Sequence, residues 1–227
     1  MRHNAWNYFA SNIKDCPLDK LMNNNSFLQT MFCTSYRKEE LAYLREIYED
    51  ETIEKMIEEE IINMPDNNNI HKLYHLTQFC QKTILTPDVI TEFGAGYGAM
   101  CNVCSRLFEW SRYNIIDLPE LQEVQQRYLG LYGLSDYVKW YNSIEDICDT
   151  ESGMFIATWS LSETPQEIRE IVMEKANFEC YLLAYGKSFF DLENYNYFSE
   201  FAKKRNHLNW HKIKIPFMEE QYYLIGS

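Results

Sequence analysis

The sequence predicts an α/β fold: a doubly wound, mostly parallel sheet closed by an antiparallel C-terminal strand, with a helical extension in front of it. Two observations carry this. From Val89 onward, short β-rich runs alternate with helical patterns, which is the signature of βαβ units. Near the end, His211–Ile215 and Gln221–Ile225 are separated only by the turn around Pro216 to Glu220, and two strands that close together pair antiparallel.

Strands are expected near 88–93, 113–117, 137–141, 153–158 and 178–185, with helices near 98–110, 119–132, 165–176 and 195–206. Before them, the window Glu39 to Glu60 holds ten acids against Arg45 and Lys55. Leu41, Leu44 and Tyr48 repeat at helical spacing there, as do Ile53, Ile57 and Ile61, so an apolar stripe meets a core and the glutamates are expected to face water. Pro65-Asp66-Asn67-Asn68-Asn69 is expected to end that helix and form a loop. A further helix is expected over Ile70–Leu85, closed by Thr86-Pro87-Asp88. The division is therefore 1–85, a helical extension serving as an acceptor cover or a dimerisation element, and 86–227, the α/β domain.

Composition narrows the function classes. With 227 residues, 46% hydrophobic and 24% charged, a packed fold is expected. A net charge of −13 would repel a polyanion, so nucleic acid is not an expected partner. The absence of a 20-residue apolar run and of an apolar leader points to a cytoplasmic protein with no membrane partner. Seven scattered cysteines read as reduced thiols. Cys101-x-x-Cys104 falls within a helix with no second pair, which favours packing over zinc.

The chemistry begins at Ile90-Thr91-Glu92-Phe93-Gly94-Ala95-Gly96-Tyr97-Gly98, which leaves a strand and enters a helix. Glycines there allow a sharp turn and let a ligand approach the helix N-terminus. An acid, Asp117, ends the next strand 23 residues after Gly94, where a carboxylate can accept from ribose hydroxyls. Gly94-x-Gly96-x-Gly98 lacks the two-residue gap of a dinucleotide loop, so a nucleoside other than a dinucleotide is expected.

Glu92-x-Gly94-x-Gly96-x-Gly98, Asp117 and the closing strand pair resemble the class I S-adenosylmethionine-dependent methyltransferases, which have a Rossmann-like sheet with one reversed strand. Residues 88–130, with Tyr113-Asn114-Ile115-Ile116-Asp117-Leu118-Pro119-Glu120, and Trp159-Ser160-Leu161-Ser162-Glu163 resemble more narrowly the sugar O-methyltransferases. That likeness implies S-adenosylmethionine as cofactor. Its methionine part would lie on Gly94, Ala95, Gly96, Tyr97 and Gly98, with Glu92 reaching the ammonium. Asp117 would take the ribose, Leu118 the adenine face, Asn142 and Ser143 the adenine edge, and Trp159 and Ser160 would lie where cofactor and acceptor meet.

The implied reaction is methyl transfer to a hydroxyl of a sugar or nucleotide-linked sugar. The alternatives are another small molecule, a protein side chain, or a silent fold that only binds. A sugar hydroxyl is a weak acid, so a base is expected. Glu163 follows the fourth strand, although Thr164-Pro165-Gln166-Glu167 also reads as a capping box that would make Glu163 a mere neighbour of a helix start. His75, four residues from His71 on one helix face, is the second candidate. Phe189, Phe190 and Tyr195 are the expected acceptor contacts, because flat aromatic faces suit the C–H faces of a sugar ring. No metal is expected, and a homodimer is compatible with the extension.

Overall fold

The computed structural model describes residues 38–48, 68–147 and 153–227. The expectations for residues 1–37, 49–67 and 148–152, including Ile53, Ile57, Ile61, Cys16, Cys33 and Cys148, lie outside the described residues.

Two helices come first, α1 (Lys38–Ile47) and α2 (Asn68–Cys80). The alternating part follows: β1 (Val89–Phe93), α3 (Ala99–Leu107), β2 (Arg112–Ile116), α4 (Pro119–Gly130), β3 (Val138–Tyr141), β4 (Met154–Thr158), α5 (Gln166–Lys175) and β5 (Cys180–Gly186). A small hairpin, β6 (Ser188–Phe189) and β7 (Leu192–Glu193), leads into α6 (Asn194–Lys204). The chain closes with β8 (Trp210–Lys214) and β9 (Gln221–Gly226). The hairpin is too short to leave a periodic signal and was not expected.

The seven-stranded sheet has the order β3-β2-β1-β4-β5-β9-β8. β1 to β5 run parallel, and β9 pairs antiparallel with both β5 and β8. The expected Rossmann-like arrangement with a reversed C-terminal strand is therefore present. Strand order reverses between β1 and β4, so the crevice at their carboxyl ends is where a ligand has room between diverging loops.

Each sheet face is buried by its own cluster. Ile90, Tyr113, Ile115, Ile156 and Leu182 meet α2, α3 and α4 on one side. Phe155, Ala157, Tyr181 and Leu183 meet α5 and α6 on the other. A sheet covered on both faces needs strands that are apolar throughout, and β4 and β5 are buried at every position.

α2 belongs to this core: Ile70, Leu73, Leu76 and Phe79 are buried against the sheet cluster. Its helix ends at Cys80 and not at Leu85, because the apolar stripe stops at Phe79 and Ile84 is fully exposed. On α1, Leu44 is buried as the stripe requires. Glu40 departs from the solvated-face expectation: it is 1% exposed, drawn inward by His71. Cys101, Cys104 and Cys180 are buried free thiols, whereas Cys80 is exposed. No helix among the described residues is long and apolar enough to cross a membrane.

Candidate active site

The glycine loop is folded by its own backbone and by close contact with the loop after β4. Gly94 N–H donates to the Ile116 carbonyl at 2.9 Å, and Gly98 N–H to the Ala95 carbonyl at 3.0 Å. Gly94, Gly96 and Gly98 have φ of 72°, 60° and 102°, in the region L side chains avoid. A Cβ on Gly94 would stand 2.2 Å from Ser160 Cβ, so glycine there is what lets the two loops touch. Ser160 Oγ donates to the Phe93 carbonyl and fixes that contact.

Asp117 is built into the same loop. Its Oδ2 accepts from Ala95 N–H at 2.9 Å and from Gln125 Nε2 at 2.8 Å, and its Oδ1 accepts from Leu118 N–H at 2.8 Å. Burial pushes its carboxyl up to about 7, with the N–H groups of Leu118, Gln125, Ala95 and Gly96 pulling it back. Oδ1 keeps acceptor capacity beyond the Leu118 bond, so ribose recognition remains open to it.

Two glutamines that sequence reasoning missed complete this frame. Gln125 Nε2 also donates to the Gly96 carbonyl at 2.9 Å. Gln122 Nε2 donates to the carbonyls of Asp117 and Tyr141 and to Asn142 Oδ1. From the first two turns of α4 they tie together the chain after β1, β2 and β3. The available signal was their i, i+3 spacing, which puts both on one helix face.

Glu92, next to last in β1 on the α2–α3 side, is 1% exposed and accepts from Tyr113 Oη at 2.8 Å. Burial pushes it up to about 7, against the pull of the Lys72 ammonium and the Tyr113 hydrogen bond. Lys72, also missed from sequence, reaches over from α2 and donates to Thr158 Oγ1 at 3.4 Å at the end of β4. Burial lowers its ammonium below the usual lysine value, and Glu92 and Glu40 raise it again.

The remaining expected cofactor contacts divide. Tyr97 is 4% exposed, with its ring turned into the core edge-on to Tyr128 at 4.7 Å, which leaves its backbone as the part facing the loop. Leu118 is part-buried at the start of α4. Asn142 is exposed beside Gln122, while the Ser143 hydroxyl caps the short 3-10 turn Ile144–Asp146.

Trp159 adopts φ 63°, a strained value for a bulky residue. Its N–H extends the β4–β5 ladder to the Ala184 carbonyl at 2.7 Å, and its indole donates to Gln221 Oε1 at 2.6 Å. The ring lies parallel to His71 at 5.8 Å and tilted to His75 at 5.2 Å.

His75 is fully buried with both ring nitrogens engaged: Nδ1 with Tyr223 Oη, and Nε2 with His71 Nε2 at 2.9 Å. Neither ring nitrogen of His75, the second candidate base, is left open in this arrangement. His71 Nδ1 lies 2.9 Å from Glu40 Oε1. With Glu40 Oε1 as the final acceptor the chain has one consistent direction: Tyr223 donates to His75, His75 to His71, and His71 to Glu40.

Glu163 closes the 3-10 turn Ser160–Glu163 after β4. It is half-buried, with no hydrogen bond or ion pair among the described residues, and burial alone pushes it up to about 7. The expected capping box after it does not form. α5 begins at Gln166 with Pro165 as an N-cap that makes no side-chain bond, and Thr164 Oγ1 donates to the Leu161 carbonyl instead.

Among the expected acceptor contacts, Phe189 and Phe190 touch edge to face at 4.8 Å on the hairpin after β5, and Phe190 is 76% exposed at φ 51°. Tyr195 faces elsewhere: the Lys212 ammonium lies 3.0 Å from its ring centre and Tyr222 packs against it. Among the described residues no three of His, Cys, Asp or Glu gather as a metal site.

This architecture is shared with solved methyltransferases. The chain is similar to the glycopeptide N-methyltransferase MtfA, with a TM-score of 0.54 at 10% identity over 69% of this chain and 90% of that one. It is similar to the methyltransferase domain of a bacterial CtHen1, with a TM-score of 0.52 at 11% identity over 70% and 98%. A protein of Methanococcus maripaludis, provisionally assigned as an S-adenosyl-L-methionine-dependent methyltransferase, gives 0.51 at 11% identity over 70% and 84%. No protein-family model matches the sequence, and no curated protein matches it. At these identities the likeness establishes the methyltransferase fold.

Proposed function

We propose that this chain is an S-adenosylmethionine-dependent O-methyltransferase whose acceptor is a hydroxyl of a sugar or a nucleotide-linked sugar. The observation that carries it is Glu163: a carboxyl without a partner among the described residues, pushed up to about 7, closing the short turn after β4, the strand that pairs with β1. A base poised near neutrality is what a weakly acidic hydroxyl requires.

The residues present fit the cofactor. The glycine loop offers backbone at close approach, Glu92 presents a carboxylate toward an ammonium, and Asp117 keeps acceptor capacity toward ribose hydroxyls. Leu118, Asn142 and Ser143 border the adenine end, and Trp159 and Ser160 the sulfur end. When bound, S-adenosylmethionine supplies a methyl group already activated for displacement. The protein then has to align the acceptor and remove one proton, and alignment supplies several kcal/mol. Glu163 takes the hydroxyl proton. Phe189 and Phe190 offer apolar faces to the sugar ring.

Residues 86–227 carry the cofactor in this reading, and residues 1–85 add a wall on the acceptor side. Support comes from α2, which brings His71, Lys72 and His75 to Trp159 and the end of β4. The relay behind Trp159 orients that ring and does not touch the acceptor.

The test is turnover of methyl-labelled cofactor against a panel of free sugars and nucleotide-linked sugars, with wild type and Glu163→Gln. Transfer to a sugar hydroxyl that falls about 10² to 10⁴-fold in the variant supports the assignment. Transfer only to amines or protein side chains, or cofactor binding with no turnover on any acceptor, contradicts it.

A further inference from the structure

Lys72 is a charged side chain that the proposed reaction has not used. Its ammonium lies at the carboxyl ends of β1 and β4, with a single long hydrogen bond to Thr158 Oγ1 among the described residues. An ammonium has three donors, so two are left without a protein acceptor there. Glu92 is near enough to raise its proton affinity, yet the two make no direct ion pair. Glu92 on β1 and the Lys72 ammonium at the end of the neighbouring β4 therefore set a carboxylate and an ammonium beside each other without closing on each other, as the two ends of a clamp for a group carrying both charges would be.

Resting on the cofactor reading above, we propose that Lys72 and Glu92 clamp the zwitterionic amino-acid end of the cofactor, with Lys72 holding its α-carboxylate and Glu92 its α-ammonium. The charge balance of the crevice favours this. Glu92, Asp117 and Glu163 are all acids, and without Lys72 they would repel an incoming carboxylate. With Lys72 in place, each end of the zwitterion meets its opposite. The clamp also explains why a lysine is tolerated in a part-buried position of α2, where an ordinary core residue would cost less desolvation.

The test is calorimetry on the full chain with two ligands: S-adenosylhomocysteine, and 5′-methylthioadenosine, which keeps the nucleoside and sulfur but has no amino-acid end. Lys72→Met keeps the stem and removes the charge, and Lys72→Arg restores a cation. The clamp predicts that Lys72→Met weakens S-adenosylhomocysteine about tenfold or more and leaves methylthioadenosine within about twofold, with Lys72→Arg recovering most of the loss. Unchanged S-adenosylhomocysteine binding in Lys72→Met overturns the clamp, as does an equal loss of both ligands, which would mark Lys72 as structural. Wild type that binds both ligands equally tightly also overturns it, while the nucleoside reading survives. Wild type that binds neither ligand removes the cofactor reading and the clamp together.

Discussion

His75 Nε2 lies 2.9 Å from His71 Nε2, so one proton is shared between two imidazoles buried under Trp159. Burial first, then the neighbouring His71 and Lys72, hold His75 well below the usual histidine value of 6.5. A depressed histidine means that acid charges the unfolded chain before the native one, so its contribution is complete above pH 6.5 and is lost as pH falls.

His75→Phe should cost about 1–3 kcal/mol at pH 7.5, because Tyr223 Oη and His71 Nε2 lose their partner. That cost should shrink at pH 5, where wild type itself is weakened. Urea unfolding of both proteins at the two pH values checks this. The comparison with wild type is needed because the raised carboxyls of Glu92, Asp117 and Glu163 drive the pH trend the opposite way.

Glu163→Gln should stabilise the fold while disabling transfer. A carboxyl raised to about 7 contributes its full stability below its unfolded value and loses it as pH rises through 7, so the ionised group is a burden at pH 8. The variant should gain about 1–3 kcal/mol at pH 8 and nothing at pH 4. Wild-type transfer should rise with pH through about 7. Equal stability of the two proteins at both pH values would mean that Glu163 is solvated and not poised.

Asp117→Asn should lower both stability and cofactor affinity. An amide has one acceptor oxygen in place of two, and its NH₂ would face the donors Ala95 N–H and Gln125 Nε2, or Leu118 N–H. A loss of about 1–3 kcal/mol in the ligand-free fold is expected by denaturant titration. A ligand-free fold of unchanged stability would show that the carboxylate is held for the ribose alone.

Gly94→Ala and Gly133→Ala form a matched pair. Both positions have φ near 70°, but a Cβ on Gly94 meets Ser160 at 2.2 Å, whereas a Cβ on Gly133 has nothing within 4 Å. Gly133→Ala should cost about 1–2 kcal/mol from the backbone alone. Gly94→Ala should cost about 2–5 kcal/mol and open the contact between the two loops. Thermal unfolding separates them, and equal losses would mean that Ser160 moves aside freely.

The order of strands and helices was legible because alternation of period 2 and period 3.6 is written locally, and so were the glycine loop and the acid that ends β2. Residues whose roles depend on distant elements were not legible. Glu40 reads as one more solvated glutamate until His71, 31 residues away, draws it inward. Lys72 reads as an ordinary helix lysine until β1 and β4 are placed beneath it. Tyr97 reads as a loop aromatic facing a ligand, but Tyr128 on α4 offers its ring a buried partner. Tyr195 reads as a sugar platform, yet Lys212 on β8 already lies over its face.

Calorimetric titration of the full chain with S-adenosylhomocysteine and, separately, with NAD tests the central claim most directly. Binding of S-adenosylhomocysteine and not of NAD is predicted, with the ligand at 100 times its dissociation constant stabilising the fold by about 2.7 kcal/mol. Binding of NAD without binding of S-adenosylhomocysteine would contradict the account.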